Sequence, residues 1–237
     1  MVLFFAEEIT MLPIPPGCWL CAMPLAFAIH GLCSVCLRQL LVHPACCPRC
    51  GLPAGCSTHQ CGRCLRRPPP WQRLIAVSAW QPPLSQLVNR LKFYRATALA
   101  VMLARLLLLR WLQQRRESGL QRPDLLLTVP LHHYRAWQRG YNQLEEIAQR
   151  LVRWVPCRYA PQAITRVRAA KIQHRLGARA RRKNLRGAFR LETAVRGYHI
   201  ALLDDVVTTG STAAEISRVL LANGAASVEI WCLCRTL

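Results

Sequence analysis

No stretch limits the possible folds of this chain as tightly as residues 198–212. Ile200, Ala201, Leu202 and Leu203 form a wholly apolar strand that runs into two adjacent carboxylates, Asp204 and Asp205. Val206, Val207, Thr208, Thr209, Gly210, Ser211 and Thr212 follow as a turn of small and hydroxyl-bearing residues. Beyond it Ile216, Val219 and Leu220 share one face of an amphipathic helix. A strand, a Thr/Gly/Ser turn and a helix start make a ready anion site, because unpaired backbone N–H groups and the helix dipole both face the loop. Carboxylates beside such a loop repel a bare phosphate. They make sense for a ligand that also presents sugar hydroxyls, or a Mg²⁺ that bridges to further phosphates. An acid serving only as a helix cap needs no neighbour, yet this chain holds three Asp and sets two of them side by side.

The rest of the body supplies partners for that strand. Apolar runs at 74–80, 125–129 and 227–233 predict further strands, and 195–203 is the predicted extent of the acidic-pair strand. Residues 84–116 carry leucines at helical spacing, with Lys92-Phe93-Tyr94-Arg95 as the expected break between two helices, and 144–154 predicts another amphipathic helix. Alternating strands and helices argue for an α/β domain with a doubly wound, mostly parallel sheet. Ligands of such sheets sit beyond the strand C-termini, where Val129-Pro130 and the acidic pair meet in one crevice.

The front of the chain obeys another logic. Ten of the 13 cysteines lie between Cys18 and Cys64, and eight form C-x-x-C pairs: Cys18/Cys21, Cys33/Cys36, Cys47/Cys50 and Cys61/Cys64. A two-residue gap aims two thiolates at one ion, and two such knuckles complete a tetrahedral zinc site. Sequential pairing gives two tandem zinc ribbons; interleaved pairing of first with third and second with fourth also satisfies the spacing. Cys46 and Cys56 are spares, and Cys46 is an alternative to Cys47. Four thiolates also suit an iron–sulfur cluster. Disulfides need an oxidising compartment, and no export signal precedes them. With four thiolates each, both sites read as structural. Arg66-Arg67-Pro68-Pro69-Pro70 reads as a stiff linker. The expected organisation is a tail at 1–17, a double zinc ribbon at 18–66 and an α/β domain at 71–237.

The net charge of +21 is carried almost wholly by arginine, with lysine only at Lys92, Lys171 and Lys183. No Asp or Glu falls between Ile147 and Leu191, so that segment should attract polyanions, whether a pyrophosphate or a nucleic acid. The most apolar helix, 96–112, is interrupted by Arg105 and Arg110, which argues against membrane insertion. Glu7 and Glu8 fall where a signal peptide would be apolar, so a cytoplasmic chain is expected.

The acidic pair and the loop after it resemble the signature of the type I phosphoribosyltransferases. That resemblance implies that the loop holds the 5′-phosphate of phosphoribosyl pyrophosphate (PRPP) while Asp204 and Asp205 contact the ribose hydroxyls. Taken in order, the cysteine pairs, Val129-Pro130-Leu131-His132, Arg139-Gly140-Tyr141-Asn142-Gln143, Arg166-Val167-Arg168, Gln173 and Asn184-Leu185-Arg186-Gly187-Ala188-Phe189 lead to the loop and are similar to the ComF family. The resemblance covers residues 18–237 and is strongest to the family's DNA-utilization members. It implies a double zinc ribbon fused to a type I phosphoribosyltransferase fold, with Zn in two structural sites, Mg²⁺ with the ligand, and a role in DNA uptake or in use of external DNA. Arg139, Asn142, Arg166 and Gln173 match the segments that would hold pyrophosphate and cover the site. Single-stranded DNA and a helicase or other DNA-uptake protein are the implied macromolecular partners. Ala170 and Ala180 stand where the family commonly has Thr and Glu, which leaves the loop intact and bears on catalysis. No residue stands out as an acid/base catalyst. Three readings therefore stay open: an active phosphoribosyltransferase, a DNA-handling protein that binds PRPP or a nucleotide without transfer, and a catalytically silent DNA-binding adaptor with zinc ribbons.

Overall fold

A computed structural model describes residues 16–42, 44–93, 96, 98–130, 142–167 and 185–236. Five parallel strands form the central sheet: β1 (Arg73–Ala79), β2 (Leu125–Thr128), β3 (Arg158–Tyr159), β6 (His199–Val207) and β7 (Ser227–Arg235), in the order β1-β7-β6-β2-β3. β4 (Ile164–Arg166) and β5 (Phe189–Leu191) pair antiparallel as a separate two-stranded sheet. Strands covered on both faces read as continuous apolar runs. All four residues of β2 are buried, and so is β7 from Val228 to Arg235.

Helices cover the two faces. α3 (Leu84–Phe93), α4 (Ala98–Ser118) and α5 (Gln143–Trp154) pack with Ala201, Leu203, Trp231 and Leu233 into one core. Ile216 and Leu220 of α6 (Ser211–Ala222) close a second core with Ile200, Leu202, Ile230 and Phe189. The two sets of β6 residues alternate because successive side chains of a strand point to opposite faces. The doubly wound parallel sheet expected from the sequence is the observed one. Among the described residues, no helix is long and apolar enough to cross a membrane.

Strand ends differ from the sequence reading. The acidic-pair strand begins at His199 rather than at 195, and it continues through Asp204, Asp205, Val206 and Val207. Its register with β7 keeps one offset through Asp204↔Cys232, Val206↔Cys234 and Val207↔Arg235, so the carboxylates lie within the strand and not beyond it. β-branched Val206 and Val207 favour this extension once β7 offers a partner. Of the expected break, Lys92 and Phe93 still belong to α3, Tyr94 and Arg95 lie outside the described residues, and α4 begins at Ala98.

In front of the sheet stand two cysteine modules. Each has a knuckle closed by one antiparallel bridge, Gly17↔Pro24 and Cys46↔Pro53, followed by a short helix, α1 (Ser34–Leu41) or α2 (Gly62–Arg66), whose N-cap is a cysteine. Leu25, Leu32 and Leu40 carry the first module into the α3–α5 core. Gly31 lies so close to α4 that a Cβ there would stand 2.9 Å from Met102. The second module has a buried cluster made of Cys47, Cys50 and Cys64, and the partly buried apolar residues against it among the described residues are Leu52, Ala54 and Cys61.

Candidate functional site

The thiols gather into two sets, Cys18/Cys21/Cys33/Cys36 and Cys47/Cys50/Cys61/Cys64, with the sulfur atoms of each within 4.8 Å of one another. Sequential pairing is thereby settled over interleaving, and Cys46 and Cys56 fall outside both sets; Cys56 instead lies 3.5 Å from His59 Nδ1. Bonds of about 2.3 Å from zinc to sulfur place tetrahedral thiolates roughly 3.8 Å apart. Cys21 and Cys33 Sγ are 3.7 Å apart, and Cys50 and Cys61 Sγ are 3.8 Å apart, which fits that ion. Backbone N–H groups of Cys33 and Cys61 donate to the thiols of Cys18 and Cys47, at 3.4 and 3.3 Å. The Cys64 N–H is the main influence that brings the Cys61 thiol down to about 7, while burial pushes Cys64 up. A divalent cation bound there would resolve that conflict, because it would let all four ionise together.

The second site is built where β6 leaves the sheet. Thr208 and Thr209 are exposed, and Gly210 turns the chain at φ 72° to become the N-cap of α6. Only glycine adopts this conformation without strain, and a Cβ here would also meet the Trp71 ring at 2.8 Å. Thr209 Oγ1 lies 2.8 Å from Ser211 Oγ and accepts the Ser211 N–H at 3.3 Å. The glycine cap itself brings no side-chain acceptor, so beyond the Ser211 N–H that Thr209 takes, the first-turn amides of Thr212 and Ala213 remain available to an anion.

Asp205 is clamped. Lys92 Nζ from the last turn of α3 lies 2.9 Å from Asp205 Oδ2, and Gln143 Nε2 from the start of α5 donates to the same oxygen at 3.0 Å. Gln143 is fully buried, and its Oε1 meets no donor among the described residues. Asp204, half-buried and one residue back in the strand, accepts the Asp205 N–H at 2.8 Å. Burial first, and the Asp205 charge second, push the Asp204 carboxyl up to about 7, against the smaller pull of that N–H and of Lys92. One carboxylate is thus paired with a cation and an amide, while the other has its ionised form disfavoured by burial and its neighbour.

Across the sheet Val129 N–H donates to Leu203 O at 2.9 Å, which brings Val129-Pro130 beside the acidic pair, as expected. Of the loop residues named from the sequence, Val206 and Val207 belong to β6, and residues 208–212 form the turn and helix start. Asn142 caps α5, accepting Leu144 N–H at 3.1 Å and donating to Glu145 at 3.2 Å. Arg166 lies on β4 with its guanidinium 5.7 Å from the centre of the Phe189 ring. Arg139 and Gln173 lie outside the described residues.

Four residues join the site that sequence reasoning did not single out: Lys92, Gln143, Arg235 and Trp71. Rarity was the one signal for Lys92, since an arginine-rich chain keeps only three lysines. Gln143 ends the Arg139–Gln143 motif, and nothing in that motif ties it to the acids. Nothing local marks Arg235 or Trp71.

This chain is similar, over nearly its whole length, to curated bacterial proteins. It is 55% identical over 227 residues, 96% of this chain and 100% of the relative, to the DNA utilization protein YhgH of Salmonella typhi. Its identity to the same-named protein of Escherichia coli K12 is 54% over the same span. Competence protein F of Haemophilus influenzae is 37% identical over 221 residues, 92% of this chain and 96% of that one. No protein-family profile matches. Among solved structures, a Trypanosoma cruzi hypoxanthine phosphoribosyl transferase overlaps 64% of this chain and 66% of its own, with 16% identity and a TM-score of 0.36.

Proposed function

The chain belongs to the ComF family of DNA utilization and competence proteins, and from that premise we propose that residues 71–237 bind a PRPP-like phosphoribosyl ligand in the service of DNA uptake or the use of external DNA. One observation carries this reading. The glycine-capped start of α6 opens beside an acidic pair, of which Asp205 is engaged by Lys92 and Gln143 and Asp204 is not. Thr208, Thr209, Gly210, Ser211 and Thr212 would take the 5′-phosphate through amides and hydroxyls. Asp204 and Asp205 would accept from the ribose hydroxyls, and the orphaned Gln143 Oε1 offers one further acceptor.

The carboxylates suit hydroxyls better than a metal. Asp205 Oδ2 already takes a lysine and an amide, and Asp204 gives up its proton only near neutrality. Mg²⁺ would therefore arrive on the ligand's pyrophosphate, keeping most of its water, and not in a protein cage. Arg139, Arg166 and Gln173 remain the candidate pyrophosphate and cover residues; Asn142 contributes by fixing the start of α5 and so the place of Gln143. The cysteine modules, residues 18–66, would carry two structural zinc ions.

Titration calorimetry of the zinc-loaded protein with PRPP and Mg²⁺ tests the reading. Saturable binding is expected, weakened at least about a hundredfold in Asp204→Asn/Asp205→Asn, since two hydroxyl–carboxylate contacts are each worth ~1.5–3 kcal/mol. Equal affinity in the double variant would sink it. Turnover with a panel of nucleobases then separates a transferase from a protein that only binds.

A second reading, a nucleic-acid adaptor, draws on the first cysteine module. Trp19 and Phe27 are 39% and 64% exposed there, and exposed rings serve as stacking platforms for single-stranded bases. The two readings occupy different surfaces and are compatible.

A further inference from the structure

Arg235, the last residue of β7, is 7% exposed, and among the described residues no carboxylate lies within ion-pair distance of it. Its guanidinium gathers backbone carbonyls instead. Nε donates to Cys50 O at 2.9 Å, and Nη1 donates to Val207 O at 2.9 Å, to Thr208 O and to Thr236 O. One side chain therefore joins the second cysteine knuckle to the entry of the phosphate loop. Trp71 makes a parallel connection: its indole N–H donates to Arg49 O at 2.6 Å, and its ring fills the space beside Gly210. Both connections start within the knuckle spanned by Cys47 and Cys50, and both end on the loop at Val207, Thr208 and Gly210. Leu74 N–H adds a bond to Pro48 O at 3.1 Å, and Gly51 packs on the Leu74 side chain.

What aims those carbonyls is the metal site itself. The buried cluster of the second module is essentially its own cysteines, so a bound ion supplies most of its order. The first module differs, for Leu25, Leu32 and Leu40 anchor it in the α3–α5 core. We infer that Arg235 is a positioning residue through which metal held by Cys47, Cys50, Cys61 and Cys64 sets the shape of the 208–212 loop and strengthens its grip on a phosphate-bearing ligand. In its ligand aspect this rests on the reading proposed above. Coupling of this kind is reciprocal: if the metal tightens ligand binding, bound ligand must hold the metal more firmly by the same factor.

Two measurements on the full chain decide the matter. Amide hydrogen exchange across residues 207–212, without ligand, compares Cys61→Ser with Cys21→Ser. Loss of the second site should speed loop exchange about tenfold or more, while loss of the first changes it by less than about twofold. Should Cys61→Ser not fold, Arg235→Lys, which keeps all eight thiolates and the charge, is read in the same way. The second measurement follows zinc transfer to a chromogenic chelator with and without PRPP and Mg²⁺. Saturating PRPP should slow release from one of the two sites by about 5–150-fold in the wild type. Arg235→Lys and Trp71→Phe should abolish that protection while retaining their zinc. A merely structural arginine would not make metal release depend on ligand. Equal loop exchange in the two cysteine variants, or zinc release indifferent to saturating ligand, overturns the inference. If PRPP does not bind the wild type at all, the proposed function fails, and the ligand-free exchange comparison still decides whether knuckle and loop are coupled.

Discussion

Asp204 and Asp205 are chemically identical neighbours, and the fold makes them unlike. Lys92 and Gln143 reach one, whereas the other is left to burial and its neighbour's charge. At about 7, the Asp204 value lies far above the ordinary 3.8 that the unfolded chain keeps. Between those values the folded protein holds a proton that the unfolded chain has released, so stability from this group is present at low pH and is lost as pH rises toward 7. Asp204→Asn keeps an acceptor for the Asp205 N–H and cannot ionise. Urea denaturation should find it more stable than the wild type at pH 8, by on the order of 2 kcal/mol, with that advantage gone at pH 4. The same difference at both pH values would show that Asp204 is not the group concerned.

At the scale of elements, the turn between β6 and α6 depends on one backbone conformation. Gly210→Ala places a side chain at φ 72° and drives a methyl group toward the Trp71 ring. It should cost about 1–3 kcal/mol in thermal or chemical denaturation. It should also weaken phosphate-ligand binding more than a distant substitution of equal cost does. The amino-acid order made much of this unit legible: the apolar run, the acid pair, the glycine and the helix periodicity all lie within 21 residues, from Ile200 to Leu220. Its limits were not legible, because Asp204 and Asp205 look like a turn until β7 provides register through to Arg235. β3, β4 and β5 escaped for a related reason. They have two or three residues each, too few to show a period, and they exist because neighbouring strands receive them. The cysteine spacing announced metal knuckles, but the choice between pairing schemes needed the sulfur positions. Lys92 and Arg235 reach the site from α3 and β7, far away in sequence, and no local pattern encodes such a meeting.

For the whole molecule, charge is the dominant property. A net +21 on 237 residues makes polyanion binding a long-range effect and therefore sensitive to salt. Fluorescence anisotropy with a labelled oligothymidine should show log affinity falling linearly with log salt, at a slope of roughly −3 to −6 if about 4–8 phosphates are neutralised. Asp204→Asn/Asp205→Asn should leave that binding within about twofold, since the phosphoribosyl crevice and the basic surface are separate in this reading. A salt-independent affinity, or a large loss in the double variant, would merge the two surfaces into one.

The strand order also has a consequence for how the chain is made. β1 is the first sheet strand to leave the ribosome, and its one neighbour in the sheet among the described residues is β7, the last. At about 5–20 residues per second, β1 waits roughly 7–30 s for its partner. During that interval the cysteine modules are already complete, and the Pro48 carbonyl that receives the Leu74 N–H is present in the nascent chain. β1 therefore has one backbone partner and one packing contact, Pro48 O on the Leu74 N–H and Gly51 on the Leu74 side chain, before the strand that completes its pairing has been made.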